Sequence, residues 1–142
     1  MKKIYAFLAQ GFEETEALMV IDLMRRSHTI DVVTVSVTDE LMVESSHKVN
    51  IMADKLIKDI NFDEGNGIFL PGGIPGTPNL EACDMLKQAI LKYYKEGKYL
   101  TAICAAPSIY SHLGLLKDKR ATCHGSFEKE MDCKEYGGSV VT

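Results

Sequence analysis

No stretch of the sequence approaches the run of about 20 apolar residues that a transmembrane helix needs, so we expect no membrane span. Lys2 and Lys3 precede a short apolar run, IYAFLA, in an order that superficially resembles a secretory signal peptide. The run is too short for such a peptide, and it gives way at once to Gln10, Gly11 and three glutamates.

Basic clusters and nucleotide-binding motifs are also missing. The 16 lysines and arginines are dispersed, and 20 acidic residues outweigh them to give a net charge of -4 and an isoelectric point near 5.5. Because nucleic-acid-binding domains generally carry a basic patch, we expect no nucleic-acid partner. The Gly/Pro-rich loop 71–78 lacks the Gly-Lys-Ser/Thr of a Walker A motif and any G-x-G-x-x-G pattern. We expect no bound cofactor.

The four cysteines do not form a C-x-x-C pair. Cys123 lies beside His124, but no second pair has the spacing of a closed zinc site, so we expect no metal. Without secretory context, four cysteines indicate free thiols in a reducing cytoplasm.

The remaining composition is that of an ordinary globular domain. At 142 residues, with 46% hydrophobic and 25% charged residues, the chain predicts one domain. Apolar β-rich segments alternate with helical patterns, which predicts a doubly wound, mainly parallel sheet of the α/β class. We expect strands at 3–9, 29–37, 67–70, 99–103, 121–124 and 136–142, a hairpin at 41–43 and 48–52, and helices at 13–26, 55–62, 79–96, 107–114 and 127–132.

The segment 98–116, KYLTAICAAPSIYSHLGLL, predicts a strand, a sharp turn and a helix in succession. Such a turn is the nucleophile elbow known from G-x-S-x-G sequences, here with Ala102 and Ala106 at the small positions and Cys104 at the nucleophile position. Cys104 would lie at a helix N-terminus, where backbone N–H groups favour the thiolate. The alternative is that Cys104 simply packs in the core, as many cysteines do.

Three other groups are expected at the same carboxyl edge of the sheet. One of Glu13, Glu14 and Glu16 would face the thiol from the loop after the first strand, although glutamates in a first helical turn are often only solvated. Gly72 and Gly73 would supply backbone donors for an oxyanion, or merely form a turn. His124, at a strand end, is a candidate base; His28, His47 and His112 have weaker claims.

Four motifs in order, GFEETEA, LPGG, AICAAP and TCH, resemble the ThiJ/PfpI family, and most of all its DJ-one-like branch. The resemblance covers essentially the whole chain and implies a flavodoxin-like three-layer sandwich with the class I glutamine amidotransferase-like fold. It implies that Cys104 is the reactive residue, Glu16 its buried carboxyl partner and His124 a nearby base. It further implies that the N–H groups of Gly73 and Ala105 form the oxyanion hole, and that the protein is a homodimer.

The resemblance implies a cofactor-independent glyoxalase or protein deglycase acting on methylglyoxal-type carbonyls, small or attached to glycated protein. It also allows a redox-sensing, chaperone-like protein whose cysteine is oxidised, or a hydrolase or amidotransferase-like protein carrying an old thiamine-biosynthesis label. All three require a reactive Cys104.

The sequence departs from the family pattern in three places. Ala105 follows the cysteine where the peptidase-like branch commonly carries histidine, which weakens a peptidase reading. His47 occupies the place of an arginine near the dimer partner's site. Family members usually continue beyond the point reached at Thr142, so we expect a single domain, 1–142, that lacks the family's C-terminal strand and helix.

Overall fold

Strands and helices alternate along most of the chain. The computed structural model describes residues 1–142. Its strands are β1 (Lys2–Leu8), β2 (Ile30–Ser36), β3 (Met42–Glu44), β4 (Asn50–Met52), β5 (Lys55–Leu56), β6 (Gly67–Leu70), β7 (Tyr99–Ala102), β8 (Arg120–Ala121) and β9 (Glu135–Tyr136). Its α-helices are α1 (Glu14–Arg26), α2 (Gly76–Glu81), α3 (Asp84–Lys95) and α4 (Pro107–His112), and its 3-10 helices are Ile57–Asp59, Phe62–Glu64 and Gly125–Glu130.

A five-stranded parallel sheet with the order β5-β2-β1-β6-β7 forms the centre of the molecule. The chain starts in the middle at β1, adds β2 on one side, and then adds β6 and β7 on the other. This reversal leaves a crevice at the carboxyl ends of the strands, which is where open α/β sheets place their ligand sites.

The period-2 pattern of β1 explains why both faces of the sheet are covered. Ile4, Ala6 and Leu8 belong to one apolar cluster, which includes Ala17 and Ile21 of α1. The alternate residues of β1 belong to a second cluster with residues of α2, α3 and α4. Because successive strand residues point to opposite faces, a continuously apolar strand needs helices on both sides. The predicted flavodoxin-like, three-layer α/β fold is confirmed.

The predicted hairpin is present as the antiparallel pair β3–β4, but the helix predicted at 55–62 is wrong. Lys55 and Leu56 instead form β5, which hydrogen-bonds to the edge of β2. The Asn61 side chain then accepts the N–H of Asp63, a local bond that competes with a continuous helix.

The single helix predicted at 79–96 is also wrong, because the chain forms α2 and α3 with a break at Cys83. Cys83 is extended (φ -82°, ψ 104°) and caps α3, whose first turn begins with Asp84. A negative charge at that position favours a new helix N-terminus. The buried face of α3 is Leu86, Ala89, Ile90 and Tyr93, and Tyr94 is exposed.

The last part of the chain is less regular than predicted. The expected strand at 121–124 is the shorter β8, which pairs with β9 outside the main sheet. The expected helix at 127–132 is the 3-10 helix Gly125–Glu130. The longest helix of the protein has 13 residues, and no helix is long and apolar enough to span a bilayer.

Candidate active site

The nucleophile elbow lies between β7 and α4. Cys104 adopts a φ of 60°, in the left-handed region that residues other than glycine rarely enter. Such a conformation costs about 1–3 kcal/mol and is typical of functional sites. Ala105 and Ala106 are buried behind it, Pro107 begins α4, and the Ser108 hydroxyl donates to the Ala105 carbonyl at 2.7 Å. Small residues and the hydrogen bond from Ser108 therefore stabilise the turn.

Glu16 reaches Cys104 from the first turn of α1. Glu13 is the N-cap of that helix, and its carboxylate accepts the Glu16 N–H at 2.7 Å. The Glu16 side chain accepts the Gly72 N–H at 2.9 Å and lies beside the Cys104 thiol, whose pKa it raises. Of the three glutamates, Glu16 is therefore the one whose carboxyl group adjoins the thiol.

Gly72 and Gly73 close the other side of the site. A Cβ added at Gly72 would lie 2.6 Å from the Cys104 Cβ and 2.7 Å from Glu16 Oε2, so no larger residue fits without a shift. Gly73 has a φ of 104°, which glycine adopts most readily. The backbone N–H groups of Gly73 and Ala105 are near enough to the Cys104 sulfur for both to act to lower its pKa.

The electrostatics of the thiol differ from the sequence-based expectation. Burial and the Glu16 carboxylate raise the pKa of Cys104 to about 11, whereas the N–H groups of Ala105 and Gly73 act in the opposite direction. The backbone N–H groups act in the predicted direction and favour the thiolate, but dehydration and a nearby negative charge outweigh them.

His124 lies beside the elbow, but its ring does not bond the thiol. Its backbone N–H donates to the Cys104 carbonyl at 2.6 Å. The imidazole is the N-cap of the 3-10 helix Gly125–Glu130, where Nδ1 accepts the Ser126 N–H at 3.2 Å. In the neutral ring, Nε2 therefore carries the proton and is the nitrogen free to donate.

Glu14 and His47 form a separate group near the start of α1. Glu14 Oε1 lies 2.8 Å from His47 Nδ1, and Glu13, Glu14 and His47 bring three potential metal-ligand atoms within 4.8 Å of one another. Glu13 already caps α1 and Glu14 already pairs with His47. Because these groups satisfy one another, we assign no metal to them.

Sequence reasoning missed two features. Gly72 anchors Glu16, a role that the two consecutive glycines signal only weakly, because they equally suggest a turn. His112, which had a weak claim, lies between the carboxylates of Glu81 and Glu130. No local pattern indicates that second arrangement, since its three residues come from three separate helices.

The fold and the site together define a class: α/β proteins with a nucleophile elbow whose nucleophile position is a cysteine paired with a carboxyl group. The chain belongs to the DJ-1/PfpI family, whose model matches residues 2–142. The resemblance seen in the sequence is confirmed.

Individual relatives agree with this family. The chain is 36% identical to Protein DJ-1 homolog B of Arabidopsis thaliana over 150 residues, which cover 99% of this chain and 34% of the relative. It is 28% identical to the glutathione-independent glyoxalase DJR-1.2 of Caenorhabditis elegans over 84% of this chain and 62% of that protein. The solved structure of oxidised Toxoplasma gondii DJ-1 is 31% identical and superposes with a TM-score of 0.93 over 98% of this chain and 76% of its own. The chain thus spans about one third of the plant relative's length.

Proposed function

We propose that this protein is a cysteine-dependent glyoxalase or protein deglycase that acts on methylglyoxal-type reactive carbonyls without a cofactor. The observation that carries this proposal is the convergence on the Cys104 sulfur of the Glu16 carboxyl group and the N–H groups of Gly73 and Ala105. The similarity to the Caenorhabditis elegans protein named as a glutathione-independent glyoxalase supports it.

The first step forms the bond between sulfur and carbon. The Cys104 thiol passes its proton to the Glu16 carboxylate, and the thiolate attacks the aldehyde carbon. The electron pair of the C=O bond moves to oxygen, where the N–H groups of Gly73 and Ala105 stabilise the developing charge. Glu16 returns the proton to that oxygen and gives a hemithioacetal.

The second step moves a hydrogen between the two carbons. Glu16, again a carboxylate, removes the proton from the former aldehyde carbon, and His124 Nε2–H hydrogen-bonds to the neighbouring ketone oxygen, which becomes the negatively charged oxygen of an enediolate. Glu16 then delivers its proton to the second carbon, and the hydroxyl proton on the first carbon passes to the negatively charged oxygen on the second, which leaves a thioester on Cys104. Water cleaves the sulfur–carbon bond, which releases a 2-hydroxy acid and restores the thiol. In a glycated protein, the carbon that the thiolate attacks is part of the adduct attached to that protein.

The test is the formation of lactate from methylglyoxal by the purified protein in the absence of glutathione. We expect multiple turnovers that Cys104→Ser abolishes and that Cys123→Ser, a change at another partly buried free thiol, leaves within about twofold of wild type. Lactate formation that needs glutathione, or that survives in Cys104→Ser, would disprove the proposal.

A redox-sensing, chaperone-like role is the second candidate. The Toxoplasma gondii structure is of an oxidised DJ-1, and a sulfinate on Cys104 of this chain would lie beside Glu16 and two N–H donors. Against it, the raised pKa of Cys104 lowers the fraction of thiolate that reacts with peroxide. Stoichiometric addition of two oxygen atoms to Cys104 at low peroxide, without lactate formation, would favour this role.

A hydrolase or amidotransferase-like activity has less support. Such enzymes use a base close to the nucleophile, whereas the His124 ring is held by Ser126 and does not bond Cys104. Amide cleavage dependent on Cys104 would be the finding that favours this third reading.

The proposal includes a homodimer in the cytoplasm. All four cysteines are free, as expected in a reducing compartment. Leu18, Met19 and Leu23 leave apolar surface exposed on α1, and Met42 and Met52 do so on the β3–β4 hairpin. Ser46 of that hairpin donates to Glu14 of α1 at 3.2 Å, so the two apolar areas lie on connected elements.

A further inference from the structure

His112 lies between two carboxylates that come from different helices. Its Nδ1 is 2.5 Å from Glu81 Oε1, and its Nε2 is 2.7 Å from Glu130 Oε2. A neutral imidazole can donate from only one nitrogen, whereas the imidazolium donates from both. The geometry therefore fits the protonated ring.

The three residues occupy equivalent places in their helices. Glu81 ends α2, His112 ends α4, and Glu130 ends the 3-10 helix Gly125–Glu130; each helix has six residues. The opposite ends of the same helices lead back to the candidate active site. Gly73 precedes α2, Cys104 and Ala105 precede α4, and His124 caps the 3-10 helix.

We propose that His112 is a positioning residue, whose imidazolium joins the far ends of the three short helices that carry Gly73, Cys104 and His124 at their near ends. Short helices move as rigid units, so fixing one end limits the movement of the other. Catalysis by oriented groups is sensitive to such movement, since a misplacement of about 1 Å can cost up to ~100-fold in rate.

The charged surroundings of His112 set the direction of its titration. Burial alone would lower the pKa of His112, but Glu81 and Glu130 together raise it above the ordinary value. Behind Glu81, α3 presents Lys87, which is paired with Asp84 at 2.9 Å. Beyond α4 and the 3-10 helix, Lys117 lies 3.9 Å from Asp132. No other charged residue of α4 itself is near the ring, because its remaining residues are uncharged.

The sign of the pH effect follows from the raised pKa. A histidine whose folded pKa lies above its unfolded value near 6.5 contributes stabilisation that is complete below pH 6.5. That contribution is lost as the pH rises through the folded pKa. Ser111, whose hydroxyl donates to the Glu130 carbonyl at 2.8 Å, connects α4 with the 3-10 helix whether or not His112 is charged.

The variants for the test are His112→Asn, which removes the cation, and His112→Arg, a permanent cation that can donate on two sides. The matched control is His28→Asn, at an exposed turn with a φ of 54°, where asparagine is well tolerated. For wild type and variants, kcat and KM for methylglyoxal are measured from pH 6 to 9.

We expect kcat of His112→Asn to be about tenfold below wild type at pH 6, with KM within about twofold, because the residue does not touch substrate. The difference should shrink toward pH 9. His112→Arg should restore kcat and remove this pH dependence, and His28→Asn should match wild type. Equal kcat for wild type and His112→Asn across the pH range would overturn the inference.

The inference rests on the proposed function only where turnover is measured, so a second measurement is independent of it. In wild type, NMR follows the His112 ring and the amide signals of Gly73 and Ala105 as the pH is raised. We expect these amide signals to move with the midpoint of the His112 titration. If they do so without lactate formation, the function is wrong and the positioning role stands; amide signals that ignore the His112 titration overturn the positioning role.

Discussion

At the scale of single residues, the reactivity of Cys104 depends on a proton that it shares with Glu16. Burial and the Glu16 carboxylate raise the pKa of the thiol to about 11, so few molecules carry a thiolate at neutral pH. The same carboxylate is the group that can accept the thiol proton. Glu16 therefore lowers the resting reactivity of the sulfur and supplies the proton transfers that turnover needs.

These two roles predict that Glu16→Gln has opposite effects on the alkylation of Cys104 and on lactate formation. Removing the negative charge lowers the pKa of Cys104. As long as the pH is below the pKa, each unit by which the pKa falls raises the thiolate fraction tenfold. We expect alkylation by iodoacetamide at pH 7 to rise by about tenfold or more, since a nearby charge shifts a pKa by about one unit or more. Lactate formation should fall by roughly 100-fold or more because the proton shuttle is lost.

The control for this prediction is Glu14→Gln, since Glu14 bonds Ser46 and His47 and not the thiol. This variant should leave alkylation and turnover near wild type. Slower alkylation in Glu16→Gln would show that the carboxyl group donates a proton to the sulfur instead of repelling the thiolate. Unchanged turnover would remove Glu16 from the mechanism.

The sequence predicts the positions of these residues better than their chemistry. A local strand, turn and helix pattern predicts the elbow at Cys104, and the loop after β6 predicts the position of the paired glycines. The direction of the thiol pKa does not follow, because it depends on a carboxylate brought from α1 through tertiary structure. Whether His124 aims its ring at the sulfur is likewise decided by Ser126, not by the strand that precedes it.

At the scale of elements, the spacing of apolar residues does not decide which of two tyrosines α3 buries. Leu86, Ile90 and Tyr94 lie at intervals of four and could share one buried face. The helix instead buries Leu86, Ala89, Ile90 and Tyr93. Tyr93 is 0% exposed and its hydroxyl donates to the Phe62 carbonyl at 2.9 Å, whereas Tyr94 is 44% exposed. A one-residue difference in phase is invisible in the pattern of apolar residues alone.

This difference can be measured by truncating each tyrosine. Tyr93→Ala leaves a cavity among Tyr5, Phe62 and Ile90 and removes a hydrogen bond, so we expect a loss of about 3–5 kcal/mol in the free energy of unfolding. Tyr94→Ala should cost less than about 1 kcal/mol, as expected for an exposed position. Urea unfolding at pH 7 supplies both values, and a greater loss in Tyr94→Ala than in Tyr93→Ala would contradict the observed helix phase.

At the scale of the whole molecule, topology gathers the site from four distant parts of the sequence. The segments that follow β1, β6 and β7, together with the segment after β8, meet at the carboxyl edge of the parallel sheet. Strand and helix alternation predicts that meeting, because parallel strands end at the same edge. It does not predict the short peripheral elements, since β5, β8 and β9 have two residues each and depend on their neighbours for pairing.

The same topology leaves α1 covering one face of the sheet with an apolar outer side, and the proposed dimer accounts for that side. Leu18, Met19 and Leu23 are 38%, 53% and 60% exposed.

If a second copy packs on them, Leu23→Glu places an unpaired charge in each half of the interface, at a cost of about 2 kcal/mol or more. The dimer dissociation constant should then weaken at least ~30-fold. Sedimentation equilibrium at micromolar concentration measures it, with Met85→Glu, at a 46% exposed methionine on α3, as the control that stays dimeric. A monomeric wild type, or a Leu23→Glu protein as dimeric as wild type, would show that this face of α1 is not the interface.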